Sequence, residues 1–143
     1  MIWAGGCLCG AVRYTVDGPL RNVLVCHCVE CRRWAGSAWA ATASRREHLS
    51  LDERRGLYWA VSPGSDAGAR RGSCVECGSS LFWDAPGRST ISIGVGTLDD
   101  AHDLELAGHV YARQAQGWEQ PPGGIPSYPG NYPPEAPPPK WHG

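Results

Sequence analysis

Cysteine is the residue type with the most evident chemistry in this chain. Seven of the 143 residues are cysteines, and they lie in three short motifs, "CLC", "CHCVEC" and "CVEC". Cysteines one or two residues apart let a single loop present two sulfurs to one metal ion, with zinc–sulfur bonds of about 2.3 Å. The spacing therefore predicts metal binding through thiolates.

The two outer motifs together predict one closed zinc site. Its ligands are Cys7, Cys9, Cys74 and Cys77. Structural zinc is held by four protein ligands in a tetrahedron, and two pairs complete such a set. Gly10 and Gly78 directly follow the pairs, where a tight turn favours glycine. We expect this site to join distant parts of the chain and to add folding free energy.

The central motif predicts a site of a different kind, with Cys26, Cys28 and Cys31 as ligands. Catalytic zinc keeps three protein ligands and leaves one position for water or substrate, and one open site would also explain the odd number of cysteines. A structural site completed by a histidine is the alternative. The candidates for that fourth ligand are His27, His48, His102 and His109. His27 is a poor candidate because both of its neighbours are already ligands.

A redox interpretation competes with metal binding, because Cys28 and Cys31 form a C-x-x-C motif. Thioredoxin-like motifs lie where a strand meets a helix in a βαβ unit. The sequence shows no such unit, so the metal interpretation is favoured.

The elements that must position these cysteines are predicted to be short strands. The chain has 19 glycines, 12 prolines and scarcely any sustained helical periodicity, which favours an all-β domain of short antiparallel strands. The predicted strands cover residues 11–16, 23–26, 37–43, 57–61, 80–83, 90–95 and 106–111. The segment "SRREHLSLDERRG" is compatible with either a helical turn or a hairpin.

A change in composition divides the chain into a domain, residues 1–118, and a proline-rich tail, residues 119–143. The tail holds nine of the 12 prolines, so we expect neither a helix nor a central strand in it. A terminal segment of this kind wraps along its own domain or frays more often than it binds a partner.

Charge and hydrophobicity disfavour several function classes. With 13 basic against 14 acidic residues, the chain lacks the positive field that holds nucleic acid or an anionic membrane. No apolar run approaches the roughly 18 residues of a membrane span, and the first residues lack the features of a signal peptide. We therefore expect a cytoplasmic protein, in which reduced cysteines serve as ligands or catalytic groups. Nothing in the sequence indicates the oligomeric state.

The chain resembles the glutathione-dependent formaldehyde-activating enzyme family, whose fold centromere protein V shares. The stretches that carry the resemblance run from Gly5 to Trp118 and are "GGCLCGAVRY", "CHCVECRRWAGSAWA", "RRGSCVECGSSLFW", "GTLDD" and "HVYARQAQGW". The resemblance implies a β-tent fold with two zinc ions, a structural one on the four outer cysteines and an open one on the central three.

The activity of that family is the addition of glutathione to formaldehyde, and the family is classed among carbon–sulfur lyases. The resemblance therefore implies a zinc-dependent carbon–sulfur lyase-type enzyme that acts on a glutathione-like thiol adduct of an aldehyde or related electrophile. The candidate substrate-binding residues are Arg32 and Arg71, which suit a carboxylate, and His109, which suits proton transfer. A non-catalytic zinc-binding interaction module is the alternative.

Overall fold

The computed structural model describes residues 1–53 and 56–143. The described residues form twelve β-strands and one α-helix, with four short 3-10 turns between them. The helix is α1 (Val29–Ala35). The strands are β1 (Ile2–Gly6), β2 (Val12–Asp17), β3 (Leu20–Arg21), β4 (Val23–Cys26), β5 (Trp39–Arg45), β6 (Leu49–Glu53), β7 (Leu57–Val61), β8 (Arg70–Cys74), β9 (Ser80–Asp84), β10 (Thr90–Gly94), β11 (Leu106–Val110) and β12 (Trp141–His142).

The strands form two sheets. The smaller sheet has the order β1-β2-β6, and the larger one runs β11-β4-β5-β10-β9-β8-β7, with β3 paired to β5 and β12 paired to β3. Pairing is antiparallel at the described ladders except between β11 and β4, which run parallel. The prediction of an all-β fold is confirmed.

The core lies between the two sheets. Along β2 the side chains of Val12, Tyr14 and Val16 are buried and alternate with more exposed ones, as expected for a strand with one face inward. The Tyr14 ring meets Phe82 of the larger sheet edge to face, with ring centroids 5.4 Å apart. Full burial of side chains of this size contributes roughly 1.5–3 kcal/mol each, so these contacts fix one sheet on the other.

All seven predicted strands are present, with ends within two residues of the expected ones. The sequence interpretation missed β1 and β8, because "IWAGG" and "RRGSC" do not alternate apolar and polar residues. It also missed β3 and β12, which have two residues each and are too short to show a pattern. The segment "SRREHLSLDERRG" combines both open alternatives, with a 3-10 turn at Arg46–His48 followed by β6. Residues 54 and 55 of that segment lie outside the described residues.

Helix α1 was not predicted, and it forms within the central cysteine motif. Cys28 is its N-cap and accepts a hydrogen bond at Sγ from the backbone N–H of Cys31. Gly36 ends the helix in the left-handed conformation, φ 86°, and donates its backbone N–H to the carbonyl of Arg32. Seven residues are too few to show helical periodicity in the sequence, so the caps rather than the pattern define this helix.

The proline-rich tail runs along the larger sheet. The backbone N–H of His109 donates to the carbonyl of Pro126, and the N–H of Tyr128 donates to the carbonyl of His109, both at 2.9 Å. Further on, the Lys140 carbonyl accepts a hydrogen bond from the backbone of Asn22. None of the helices in the described ranges has the length and apolar character that crossing a membrane requires.

Candidate functional site

The four outer cysteines form one compact group. The sulfurs of Cys7, Cys9, Cys74 and Cys77 all lie within 4.8 Å of one another. Cys9 Sγ is 3.7 Å from Cys7 Sγ and 3.8 Å from Cys74 Sγ. A tetrahedron with zinc–sulfur bonds of 2.3 Å has edges of about 3.8 Å, so this sulfur geometry fits a zinc ion.

Two tight loops hold these sulfurs, one after β1 and one after β8. Backbone N–H groups donate to the sulfurs, from Val12 to Cys7 and from Glu76 to Cys74, each at 3.3 Å. The glycines behind the pairs, Gly10 and Gly78, have φ of 81° and 76°, which other residues rarely adopt. Backbone donors of this kind stabilise thiolates and orient them as ligands.

The three central cysteines form a second group, again with sulfurs within 4.8 Å of one another. Cys26 ends β4, Cys28 caps α1, and Cys31 is buried one turn into the helix. Across residues 1–53 and 56–143, no further cysteine, histidine or carboxylate joins this group. The four histidines considered as a fourth ligand are therefore all absent from it.

The three central thiols influence one another strongly. Hydrogen bonds with Cys28 and then Cys31 raise the pKa of Cys26, whereas hydrogen bonds from Cys26 and Cys31 lower the pKa of Cys28 to about 2. Because one thiolate opposes the ionisation of its neighbours, three thiolates at this separation require nearby positive charge. A divalent metal ion supplies that charge, so the donor set fits one.

A buried arginine also contributes positive charge to this group. Arg71 is 7% exposed and donates from Nη1 to Cys31 Sγ at 3.4 Å. Its Nε donates to the hydroxyl of Ser62 at 3.0 Å, and Ser62 in turn donates to a carboxylate oxygen of Glu30 at 2.6 Å. The Glu30–Ser62–Arg71 chain therefore fixes the guanidinium against Cys31.

The three central cysteines line a cavity of about 450 Å³. Arg21, Arg71, Arg88 and Tyr111 also line it, and Asn131 contributes from the tail. A second, more open cleft of about 490 Å³ lies beside Trp34 and Cys77, and none of the central cysteines lines it. We place the candidate active site in the cavity of 450 Å³, because it alone of these two contains the three-cysteine group.

Tyr111 has an unusual backbone within this cavity. Its φ is 52°, which lies in the left-handed region. Among the described residues, Tyr111 is the only one other than glycine that has a positive φ. Its backbone N–H donates to the Gly130 carbonyl at 2.8 Å, which holds this conformation in place. Burial, followed by the charge of the three cysteines, raises the pKa of Tyr111, so its phenol stays protonated at neutral pH. Strained residues of this kind cluster at functional sites.

The structure separates the three residues that the sequence suggested for substrate binding. Arg71 lines the cavity, while Arg32 and His109 are not among its lining residues. His109 is buried and its Nδ1 lies 2.9 Å from Nε2 of His27, and burial lowers the pKa of both rings. Arg32 follows Cys31 on α1, and its Nε is buried without a hydrogen-bond partner in the described ranges.

Sequence reasoning missed Ser62, Tyr111, Arg21 and Arg88 as residues of the site. Glu30 lies next to Cys31, so its proximity was readable from the motif. The others reach the cavity only through the pairing of distant strands, and nothing in their local sequence indicates it.

Comparison with known proteins identifies the family. Residues 2–114 match the family model described as glutathione-dependent formaldehyde-activating enzyme. An uncharacterized lyase of Schizosaccharomyces pombe is 29% identical over 82 residues, which are 57% of this chain and 56% of that protein. The match thus spans little more than half the length of this relative.

A solved structure shares the fold. The crystal structure of a Rhodobacter sphaeroides protein superposes with a TM-score of 0.53, at 22% identity, over 72% of this chain and 98% of the other. Because the family model covers most of the sequence, including all three cysteine motifs, this chain belongs to the glutathione-dependent formaldehyde-activating enzyme family.

Proposed function

We propose that the chain is a zinc-dependent carbon–sulfur lyase-type enzyme acting on the adduct of a small, glutathione-like thiol with an aldehyde or related electrophile. The single observation that carries this proposal is the group of three cysteines, which lines a cavity and has no fourth protein ligand in the described residues. Membership of an enzyme family and the likeness to a protein named as a lyase support it.

The two cysteine groups take different parts in this proposal. Cys7, Cys9, Cys74 and Cys77 hold a structural zinc, because their sulfur spacing matches a closed tetrahedron. Cys26, Cys28 and Cys31 hold an open zinc beside the cavity. Zinc held by these three residues would supply the positive charge that lowers the pKa of a substrate thiol, so that the thiolate nucleophile would be available at neutral pH.

Residues of the chain then bind and orient the substrate. In the forward reaction the thiolate sulfur bonds to the carbonyl carbon, and the carbonyl electron pair moves to oxygen, which takes a proton. In reverse the hydroxyl loses that proton, the carbonyl reforms, and the carbon–sulfur electron pair returns to sulfur. We propose that the phenol of Tyr111 donates a hydrogen bond to this oxygen, because Tyr111 lines the cavity and its phenol remains protonated.

Arg71 is the sequence candidate that this proposal retains at the site. Its Nη1 already donates to Cys31 Sγ, so its main effect is to stabilise the thiolates next to the substrate sulfur. Arg32 and His109 lie outside the cavity lining, and the proposal assigns them no direct contact. The partner is a small thiol rather than nucleic acid or a membrane, and the proposed location is the cytoplasm, where the seven free cysteines stay reduced.

Exchange spectroscopy on the zinc-loaded protein tests this function. We expect the protein to accelerate interconversion of glutathione plus formaldehyde with S-hydroxymethylglutathione, measured by NMR line broadening. Tyr111→Phe should slow the reaction roughly 10- to 100-fold, while the exposed Tyr58→Phe serves as the matched control and leaves it unchanged. A protein that holds both zinc ions and accelerates no thiol–aldehyde exchange would instead be the non-catalytic zinc module.

A further inference from the structure

Two arginines that the proposed chemistry does not use line the same cavity. Arg21 comes from β3, and Arg88 comes from the turn between β9 and β10. Arg21 donates from Nε to the carbonyl of Asn22 at 3.1 Å and from Nη2 to the carbonyl of Ala41 at 3.0 Å. These bonds fix the guanidinium and leave its Nη1 without a hydrogen-bond partner among the residues that the structure describes.

The positive charge of these side chains has no counter-ion among the residues that the structure describes. In the described parts of the chain, the ion pairs involve Arg13, Arg46, Arg70 and His102, and none involves Arg21 or Arg88. Burial, and then the charge of Arg88, lowers the pKa of Arg21 to about 10, so the two groups are close enough to repel. Two guanidinium groups held together without a carboxylate favour binding of an anion.

The position of Arg21 along the sheet separates its guanidinium from the three-cysteine group. Cys26 pairs with Trp39, and Leu24 pairs with Ala41, whose carbonyl holds the Arg21 guanidinium. Two residues of strand span about 7 Å. The guanidinium therefore lies about 7 Å along the sheet from the level of Cys26.

The tail completes this end of the cavity. Asn131 lines it, and the Asn131 Oδ1 accepts a hydrogen bond from the backbone N–H of Tyr132 at 2.8 Å. Within residues 1–53 and 56–143 the amide NH₂ of Asn131 has no acceptor, so it can donate to a ligand. Asn131 lies beyond residues 2–114, the part that matches the family model. The part of the cavity lining that Asn131 forms therefore comes from a segment outside the region that matches the family model.

We propose that Arg21, Arg88 and Asn131 form a carboxylate-binding subsite, about 7 Å along the sheet from the level of Cys26, and that the cavity accepts thiols that also carry a carboxylate. This inference rests on the proposed function for the position of the sulfur, and it names the part of the substrate that the three-cysteine group does not touch. Selection arises because an ester or amide in place of the carboxylate has no negative charge to pair with the two guanidinium groups.

Binding of a sulfur-blocked ligand tests the subsite separately from the zinc chemistry. S-methylglutathione lacks a free thiol, and its monoethyl ester lacks the glycine carboxylate, the anion under test, while it keeps the γ-glutamyl carboxylate. With the full-length zinc-loaded protein at low salt, calorimetry should show the acid binding roughly tenfold more tightly than the ester. Arg88→Gln should remove most of this preference, because it removes one of the two positive charges of the subsite. Arg88 is exposed, so we expect its replacement to leave the fold intact.

Two further variants locate the effect. Arg45→Gln removes an equally exposed charge that does not line the cavity, and it should keep the tenfold preference. Asn131→Asp keeps the acceptor for Tyr132 but adds a negative charge, so it should weaken binding of the acid and leave the ester unaffected.

The outcomes separate this inference from the proposed function. Equal affinity for acid and ester, no binding of either, or a preference that survives both Arg88→Gln and Asn131→Asp would overturn the subsite. An intact preference in a protein that shows no thiol–aldehyde exchange would support the subsite while rejecting the proposed reaction.

Discussion

The two cysteine groups differ in how far apart their members lie along the chain. The four-cysteine group joins Cys9 to Cys74, which are 65 residues apart. The three-cysteine group comes from the end of one strand and the first turn of the next helix. A metal on the first group therefore stabilises tertiary structure, whereas a metal on the second joins only neighbouring residues and can serve chemistry.

The groups also differ in what donates to their sulfurs. Cys7 and Cys74 accept hydrogen bonds from backbone N–H groups, whose positions the loops fix. In the three-cysteine group Cys28 likewise accepts a backbone N–H, that of Cys31. Cys31 Sγ, however, accepts a hydrogen bond from the charged guanidinium of Arg71, which Ser62 and Glu30 hold in place. The three-cysteine group thus has a charged hydrogen-bond donor in addition to a backbone donor, at a position beside the cavity.

The largest expected effect is the loss of stability when the four-cysteine group is broken. Cys74→Ser removes a buried ligand from the site that joins distant segments. The free energy of unfolding should fall by more than about 3 kcal/mol, because a structural metal contributes its binding energy to folding. Urea unfolding followed by tryptophan fluorescence measures this loss.

The corresponding change in the three-cysteine group should affect activity instead. Cys28→Ser removes one sulfur but keeps an oxygen that can cap α1. We expect thiol–aldehyde exchange to fall at least roughly 100-fold and the free energy of unfolding to change by less than about 1 kcal/mol. Equal losses of metal and stability in Cys28→Ser and Cys74→Ser would make the division into closed and open sites wrong.

Metal removal should distinguish the groups without mutation. A closed four-thiolate site releases zinc more slowly than an open site with three protein ligands. A mild chelator should therefore extract about one equivalent first, abolishing exchange activity while the circular dichroism spectrum stays unchanged. Simultaneous release of both equivalents, with loss of structure, would contradict the comparison.

The smallest expected effect concerns the support of Arg71. Ser62→Ala deletes the hydroxyl that links Glu30 to Arg71, and a lost hydrogen bond of this kind costs about 1 kcal/mol. Exchange activity should fall by about fivefold, with zinc content unchanged. Ser50→Ala is the matched control, since Ser50 is exposed on β6, and it should retain full activity.

The sequence was most informative where the chemistry is local. Spacing alone grouped the cysteines as the structure does, because a C-x-C or C-x-x-C loop places two sulfurs together in any fold, although their assignment to zinc stays a prediction. Tyr111 could not be identified in this way, since its left-handed backbone depends on a hydrogen bond to Gly130 in the tail. Arg21 and Ser62 reach the cavity through strand pairing between distant segments, which no local pattern records.

The path of the tail has a consequence for the sheet it follows. β11 is the last strand of the larger sheet, with β4 on one side, and the tail makes backbone hydrogen bonds to His109 on the other. An uncovered strand in that position offers unpaired N–H and C=O groups to a second molecule. The prolines that follow cannot extend the ladder at β11 themselves, so the tail covers this edge without creating another one there. We expect this cover to protect the protein from edge-to-edge aggregation at β11.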